Sequence, residues 1–397
     1  MTPVLLRNYT AVSCIGRGSH AILDAMRAQR CGLAPCTFDT VALDTCTGEV
    51  SAVDDERLPH ALRAFDCRNN RLAQAGLRQD GFAEAVEESI GRWGRRRVGV
   101  FVGTSTSGIL QTELAYRRLD PLTGALPEEF DYGGTQNAFS VADFVRRILQ
   151  VEGPASVVCS ACSSSAKVFG SAQRMIQAGL IDAAVVGGVD SLCLTTLYGF
   201  HALQLTSPGP CRPFDAAREG ISISEAAAFG LLERVPDSLD ADAVMLLGVG
   251  ESSDAYHMSA PQPEGLGARA AMLAALQAAR LQPRDIGYIN LHGTGTLSND
   301  SAESRAVAGV FGTATPGSST KGATGHALGA AGALEAVICA LALQNDLAPG
   351  GVNTRAVDPA LGIRYLLHNR PGRIARVLSN SFGFGGTNCS LVFGRAG

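Results

Sequence analysis

Short apolar segments, several of which end in glycine, alternate along the 397-residue chain with longer segments that have the apolar period of a helix. The strand-like segments are residues 98–103, 155–158, 183–188, 244–250, 286–291 and 376–379, and the clearest helical segments are residues 265–281 and 327–343. A largely buried sheet that is flanked by helices produces this alternation. The sequence therefore predicts an α/β fold.

The two halves of the chain resemble each other weakly. Cys162 is followed by a small-residue turn, a helical segment and a strand-like segment that ends in two glycines. His326 lies in a glycine-rich turn and is followed by a helical segment with little charge, a strand-like segment and the sequence GFGG. Apolar residues surround both helical segments, so we expect both to be buried. We interpret the pattern as a duplication of residues 1–240 and 241–397, divided within 235–242; two unrelated α/β domains are the alternative.

The composition excludes several classes of protein. A formal net charge of −4 argues against a nucleic-acid-binding protein, which needs a basic face. No apolar run reaches the roughly 18 residues of a membrane-spanning helix, and the N-terminal sequence lacks the pattern of a signal peptide. Eleven cysteines, an odd number scattered over a long chain, are typical of a reduced, cytoplasmic protein rather than of a disulfide framework.

Cys162 is the first candidate for chemistry, because it lies directly after a strand-like segment and directly before a helical one. The unpaired N–H groups and the dipole of a helix N-terminus favour a thiolate, so the position predicts a lowered pKa. A buried structural cysteine is the alternative. Cys159 and Cys162 also form a C-x-x-C pair, which can be a dithiol redox site or half of a zinc site. No second ligand pair with suitable spacing is evident.

Two histidines lie in glycine-rich turns beside predicted regular elements. His292 opens the sequence HGTGTLSND after a strand-like segment, and His326 lies in KGATGHALGAAG at the start of a helical one. A neutral imidazole pair can donate N–H bonds to a thioester carbonyl and to the enolate that develops from it. Near the C-terminus, the glycines around Phe384 in NSFGFGGTN permit backbone conformations that could expose N–H groups as part of an oxyanion hole.

The four motifs SACSSS, HGTGTLSND, KGATGHALGAAG and NSFGFGGTN resemble, in this order, the elongating β-ketoacyl-acyl-carrier-protein synthases of the thiolase superfamily. CRPFDAAREG at 211–220 and RLQPRDIGYINLHGTGT at 280–296 are similar to that family as well. The resemblance implies a thiolase-like fold with two duplicated α/β halves in a five-layered αβαβα sandwich. It also implies an acyltransferase that condenses malonyl carrier protein with an enzyme-bound acyl thioester, without a metal or another cofactor.

The resemblance implies roles for the motif residues. Cys162 would be the nucleophile, and His292 and His326 would assist decarboxylation and stabilise the enolate. The N–H groups of Cys162 and Phe384 would form the oxyanion hole, and Phe384 would act as a gate. Lys321 would pair with a glutamate in the sequence that follows His292.

Further positions follow from the same motifs. That glutamate is Glu303, and Glu303 and Asp300 would support the His292 environment. Thr294 and Thr296 would hydrogen-bond the phosphopantetheine arm of the carrier protein. The acyl pocket would include Phe384, together with Ile221 and Thr106, which stand where the family often has an aromatic residue and an aliphatic one.

The segment around Cys162 points to a subtype. Lys167, which with Lys321 is one of only two lysines among the 33 basic residues, stands where the family's housekeeping members often have histidine. The sequence CSSSAKVF at Cys162 resembles the synthases of aryl-polyene and related pigment clusters, which would imply unsaturated acyl substrates. We expect Lys167 to form a structural ion pair, because a residue five positions along a helix points about 140° away from Cys162.

The family's partners are implied in the same way. An acyl carrier protein is acidic, so a basic docking face is expected, with the arginines Arg63, Arg68, Arg71, Arg117 and Arg118 as candidates. A dimer is expected, either of two copies or with a chain-length-factor-like paralogue. A non-elongating partner subunit is the alternative function, although such subunits lack the nucleophile; a C-x-x-C redox protein is the other alternative.

Overall fold

The computed structural model describes residues 2–397, which form seventeen strands and eleven α-helices. The strands are β1 (Val4–Ser13), β2 (Gly16–Arg17), β3 (Ala34–Pro35), β4 (Cys46–Gly48), β5 (Val98–Gly103), β6 (Ala155–Val158), β7 (Ala183–Asp190), β8 (Ile223–Ser224), β9 (Ala226–Glu233), β10 (Val244–Ser253), β11 (Tyr288–Asn290), β12 (Pro316–Ser318), β13 (Leu347–Ala348), β14 (Arg364–Tyr365), β15 (Arg370–Pro371), β16 (Arg376–Gly383) and β17 (Thr387–Arg395). The helices are α1 (Ser19–Arg27), α2 (Arg68–Leu77), α3 (Phe82–Trp93), α4 (Ile109–Tyr116), α5 (Phe139–Ile148), α6 (Ser164–Gln177), α7 (Leu194–Ala202), α8 (Leu266–Ala279), α9 (Leu297–Phe311), α10 (Lys321–Thr324) and α11 (Ala331–Gln344).

The large sheet contains the same five-stranded pattern twice. In the first half the strands lie in the order β6-β5-β7-β9-β1, and in the second half in the order β12-β11-β16-β17-β10. In each half the first three strands are parallel and the last two pair antiparallel. Counted along the chain, both orders read third, second, fourth, fifth, first. The predicted α/β fold with duplicated halves is therefore confirmed.

The two half-sheets meet where β1 pairs with β10. The connection from β9 to β10 is an exposed loop that includes residues 235–242. The division of the chain at residues 240 and 241 stays a prediction, which this exposed loop supports.

Three apolar clusters join the sheets and helices into five layers in the order α, β, α, β, α. One cluster joins α2, α3 and α5 to the outer face of the first half-sheet, and another joins α8 and α9 to the outer face of the second. The largest cluster contains α6 and α11, which lie between the two half-sheets. All residues of α11 from Ala331 to Leu343 are buried, as expected for a helix that is apolar on every side.

Several element boundaries differ from the predicted ones for local reasons. The helical pattern at 327–343 begins as a helix only at Ala331, because Leu328 has φ +48°, which a right-handed helix cannot contain. β11 begins later than the predicted residue 286, because the N–H of Ile286 bonds back to the carbonyl oxygen of Pro283 in a 3₁₀ turn at Pro283–Asp285. No helix within residues 2–397 is both long and apolar enough to cross a membrane.

Candidate active site

Cys162 lies in a tight turn between β6 and α6, and its side chain is buried. Ala161, directly before it, has φ +50°, a conformation that non-glycine residues rarely adopt and that is often found at functional sites. The turn packs closely on β5, since a Cβ atom on Gly103 would lie 2.3 Å from the backbone nitrogen of Ser165. The strand, the turn and the first turn of the helix thus fix the Cys162 thiol at the end of the sheet.

Burial decides the protonation of the Cys162 thiol. Burial raises the pKa of Cys162 to about 11, while the charge of Lys321 and a hydrogen bond from the backbone N–H of Phe384 act in the opposite direction. The lowered pKa that we predicted from the helix N-terminus is therefore wrong, because the loss of hydration outweighs the favourable groups around the sulfur. Cys162 is a thiol at neutral pH and must lose its proton during a reaction.

His292 and His326 face Cys162. Nε2 of His326 lies 3.1 Å from Sγ of Cys162, and the two imidazole rings are 5.4 Å apart and nearly perpendicular. Burial lowers the pKa of both histidines well below the usual value, and the charge of Lys321 lowers both further. Both rings are therefore neutral at physiological pH, and each can present one N–H and one lone pair.

The ammonium nitrogen of Lys321 contacts two atoms of His292. Its ammonium donates to the carbonyl oxygen of His292 at 2.6 Å and lies 3.3 Å from Nδ1 of the same residue. Because an ammonium group can only donate, Nδ1 of His292 must be its acceptor and the ring proton lies on Nε2. The carboxylate that pairs with Lys321 is Glu335 on α11.

The predicted pairing of Lys321 with Glu303 is wrong. The Glu303 carboxylate instead accepts from the backbone N–H groups of His292 and Gly293, at 2.8 and 2.7 Å, and from the side chain of Asn380 at 3.1 Å. Glu303 thus supports the His292 turn through its backbone. Burial raises the pKa of Glu303 to about 7.

Glu335 and Asn380 are the residues that our sequence reasoning missed here. A signal for Glu335 existed, since it is the sole charged residue in an apolar helix and a buried charge needs a partner. Burial raises the pKa of Glu335 to about 7, although Lys321 favours its ionised form.

Asp300 and the two threonines form one compact turn. Asp300 is buried and accepts from the backbone N–H groups of Thr294, Gly295 and Phe214. The Thr294 and Thr296 hydroxyl groups lie 2.9 Å apart, and Thr296 caps the N-terminus of α9. Both threonines line the cavity that leads to Cys162.

A cavity opens onto the sulfur of Cys162, and its walls are mostly apolar. Besides the two histidines and the two threonines, it is lined by Phe200, Leu205, Ile221, Phe382 and Phe384. The rings of Phe384 and Phe200 are 5.5 Å apart, and Gly385 and Gly386 after Phe384 both have positive φ.

Thr106 does not line this cavity, which corrects the prediction that placed it in the acyl pocket. Its backbone N–H and hydroxyl group both donate to the buried carboxylate of Asp190, at 2.9 Å each. Of the three predicted acyl-pocket residues, Ile221 and Phe384 lie on the cavity wall.

Cys162, His292 and His326 also form the one group within residues 2–397 that has the geometry of a metal site. One ligand atom from each lies within 4.8 Å of the others. A thiolate and two imidazoles suit zinc, but the ammonium of Lys321 beside Nδ1 of His292 disfavours a second cation there. A site that works without metal therefore stays our prediction.

The arginines that the sequence suggested for docking a carrier protein differ in their exposure. Arg68 is buried and bonds both oxygens of Glu225, so the prediction that it docks a carrier protein is wrong. Its burial reflects tertiary pairing that charge patterning does not reveal. Arg71 pairs with Asp66, and Arg63 is exposed beside His60.

The other two docking candidates are already paired. Arg117 bonds Asp39, and Arg118 bonds Glu129. Lys167 lies 4.0 Å from Glu251, at the limit of an ion pair, as we expected from its place on the helix.

A buried thiol at a strand–helix turn, opposite two neutral histidines and between duplicated half-sheets, defines an acyltransferase of the thiolase-like class. Residues 65–238 match the family described as "Beta-ketoacyl synthase, N-terminal domain", and residues 243–355 match "Beta-ketoacyl synthase, C-terminal domain". The chain therefore belongs to the β-ketoacyl synthase family, and the fold and activity that the sequence predicted are confirmed.

Relatives align with three quarters of the chain or more. The 3-oxoacyl-[acyl-carrier-protein] synthase 2 of Coxiella burnetii is 31% identical over 99% of this chain and 98% of its own length. Nodulation protein E of Rhizobium meliloti (strain 1021) is 37% identical over 75% of each chain. Among solved structures, a chain of the "Ketosynthase (ApeO) in Complex with its Chain Length Factor (ApeC)" from Xenorhabdus doucetiae superposes with a TM-score of 0.90 at 40% identity, covering 99% of this chain and 98% of that chain.

Proposed function

We propose that Cys162 takes an acyl group from an acyl carrier protein as a thioester. The observation that carries this role is the position of Cys162 on the wall of a mostly apolar cavity, with its Sγ beside Nε2 of His326 and the N–H of Phe384. The sulfur attacks the carbonyl carbon, the bond to the carrier thiol breaks, and the thiol proton ends on that leaving thiol. The N–H groups of Phe384 and Cys162 stabilise the oxyanion that forms in between.

In the second step, malonyl carrier protein loses carbon dioxide and the resulting enolate attacks the acyl group on Cys162. Nε2–H of His292 and the ring of His326 stabilise the negative charge on the malonyl thioester oxygen. The Cys162 thiolate then leaves and is protonated from solvent, and the product is a 3-oxoacyl carrier protein two carbons longer. A nucleophile and hydrogen-bond donors suffice for these steps, so we propose that no metal or redox cofactor takes part.

The carrier protein's arm would reach Cys162 along the same cavity. Thr294 and Thr296 line the wall of the cavity, and their hydroxyl groups can accept hydrogen bonds from the amides of a phosphopantetheine arm and donate hydrogen bonds to them. Phe384 also lines the cavity, with its ring 5.5 Å from that of Phe200, and the positive-φ glycines after it permit movement of the turn, which suits a gate. Asp300 and Glu303 would hold the turns that carry Thr294 and His292.

We also propose that the chain works as a dimer, either with a second copy or with a chain-length-factor-like paralogue. β6 lies at the edge of the large sheet and contains only small and apolar residues, which favours pairing with another strand. Tyr116, Leu122 and Tyr132 expose apolar side chains in the segment 109–139. The likeness to a ketosynthase solved with its chain length factor supports the second form.

The acyl group is proposed to be unsaturated and of the aryl-polyene type, in a cytoplasmic pathway. The sequence CSSSAKVF, with Lys167, supports this subtype, and the flat rings of Phe200, Phe382 and Phe384 along the cavity suit a rigid conjugated chain. All eleven cysteines are free, which supports a reducing compartment.

The test is intact-mass measurement of the protein after incubation with carrier proteins that bear saturated, polyenoyl or aryl-primed acyl groups. We expect a mass increase on Cys162 that is absent in Cys162→Ala, fastest with polyenoyl groups, followed by its loss when malonyl carrier protein is added. Failure of every acyl group to load would refute the proposed function. Loading without any elongation would favour a non-elongating subunit.

A further inference from the structure

Asp190, at the end of β7, is fully buried and bonds two loops that belong to different halves of the fold. From the loop after β5, the hydroxyl group of Thr104 donates at 2.6 Å, the N–H of Ser105 at 2.8 Å, and the N–H of Thr106 at 2.9 Å. From the second half, the N–H of Gly329 donates at 2.6 Å. No basic side chain within residues 2–397 forms an ion pair with Asp190, so hydrogen bonds stabilise this carboxylate.

Both loops adjoin strained backbone beside the reacting groups. Ala161, which precedes Cys162, has φ +50°, and its carbonyl oxygen accepts from Oγ of Ser105 at 3.3 Å. Leu328, which precedes Gly329 and follows His326 by two residues, has φ +48°. Such conformations are unfavourable for residues other than glycine and persist only where the surroundings determine them. The two strained turns are connected through Asp190 and Ser105, because Asp190 bonds Gly329 and the N–H of Ser105, and Oγ of Ser105 bonds Ala161.

The fit between these loops leaves no space for adjustment. A Cβ atom on Gly329 would lie 2.6 Å from Oγ of Ser105, 2.8 Å from the backbone nitrogen of Ser105 and 2.7 Å from Oδ2 of Asp190. The contact therefore requires glycine at position 329, and it fixes the distance between the Cys162 turn and the His326 turn.

We infer that Asp190 is a positioning residue, which sets His326 against Cys162 by bonding the N–H of Gly329 on one side and the Ser105 loop on the other. The inference rests on the proposed function of His326 in decarboxylation. An electrostatic role is the competing explanation, and it has the opposite sign: the charge of Asp190 raises the pKa of Cys162, so it opposes thiolate formation.

Asp190→Asn separates these explanations. The amide oxygen can replace Oδ1 and keep the bonds to the loop after β5, but the amide NH₂ then faces the N–H of Gly329 and that bond is lost. Two rates are measured: alkylation of Cys162 by iodoacetamide, read by intact mass, and decarboxylation of malonyl carrier protein by the alkylated enzyme. We expect decarboxylation to fall at least tenfold, while alkylation stays equal or becomes faster.

Asp182→Asn is the matched control. Asp182 lies just before the start of the same strand, and its carboxylate bonds Arg97 and Arg234, so its substitution should change neither rate. Ser105→Ala removes a hydroxyl group that is not buried and serves as the milder variant: it cuts the bond to Ala161, so acyl loading should slow at least threefold with decarboxylation retained.

Three outcomes would overturn the inference. Decarboxylation by Asp190→Asn at the wild-type rate would overturn it directly, and so would an equal loss in Asp182→Asn. Acyl loading by Ser105→Ala at the wild-type rate would remove the link to the Cys162 turn. If the wild-type enzyme itself neither loads nor decarboxylates, the proposed function fails, which is a different result from selective retention in Asp190→Asn.

Discussion

Removal of the Lys321 ammonium gives a sharp test of the site, because three of its contacts lie in a buried network. Lys321→Met keeps the apolar length of the side chain and leaves the carboxylate of Glu335 buried without its partner. It also removes the donor to the carbonyl oxygen of His292. Breaking one side of a buried ion pair typically costs about 3–5 kcal/mol of unfolding free energy.

The same substitution changes the reactivity of Cys162. Lys321 lowers the pKa of this thiol more than Glu335 raises it, so loss of the lysine moves the pKa above its present value of about 11. Every further pKa unit lowers the thiolate fraction at a fixed pH about tenfold. At 3.3 Å from Nδ1 of His292, the Lys321 charge would repel a protonated ring by about 5 kcal/mol at an effective dielectric constant of 20.

Two assays measure these effects. Urea unfolding at fixed protein concentration should show Lys321→Met less stable by about 3–5 kcal/mol, and iodoacetamide alkylation of Cys162 at pH 8 should slow about tenfold. The double variant Lys321→Met/Glu335→Gln should regain most of the stability, because no unpaired charge is left. Its alkylation should stay below the wild-type rate, since the lysine has the larger effect on the thiol.

Lys167→Met is the matched control, because Lys167 is the chain's other lysine and lies 4.0 Å from Glu251 near the surface. It should change the unfolding free energy by less than about 1 kcal/mol and leave alkylation unchanged. The reasoning is refuted if Lys321→Met is as stable and as reactive as the wild type. It is also refuted if Lys167→Met has the same effects.

Three further outcomes are expected. Cys159→Ser should retain condensation and Cys162→Ala should lose it; loss in both would favour the dithiol redox alternative. Arg68→Glu should lower the unfolding free energy by about 3 kcal/mol or more, since it places a second carboxylate against buried Glu225. A variant that is stable but binds the carrier protein less tightly would restore the docking hypothesis. Glu303 has a pKa raised from 4.5 to about 7 in the folded protein, so its contribution to stability is full below pH 4.5 and is lost as the pH rises through 7. Between pH 4.5 and pH 8, the unfolding free energy of the wild type, measured with urea, should therefore fall by about 3 kcal/mol more than that of Glu303→Gln. If the unfolding free energies of the two proteins changed in parallel with pH, this prediction would be contradicted.

The sequence by itself determined the elements and the reacting residues. The apolar β-branched runs 98–103 and 155–158 form strands as predicted, the first fully buried and the second half-buried at the edge of the sheet. Cys162, His292 and His326 could be recognised because each lies in a small-residue turn beside a regular element, where a side chain can reach a cavity.

Tertiary structure alone decided the pairings around these residues. Lys321 bonds Glu335 and not Glu303, Arg68 is buried, and Thr106 bonds Asp190 instead of lining the cavity. Each of these outcomes depends on which distant segments the two half-sheets bring together. The spacing of residues along the chain does not reveal which segments these are. The protonation of Cys162 follows the same rule, because local sequence places the thiol at a helix N-terminus while the packing of both halves around it removes the water and raises its pKa.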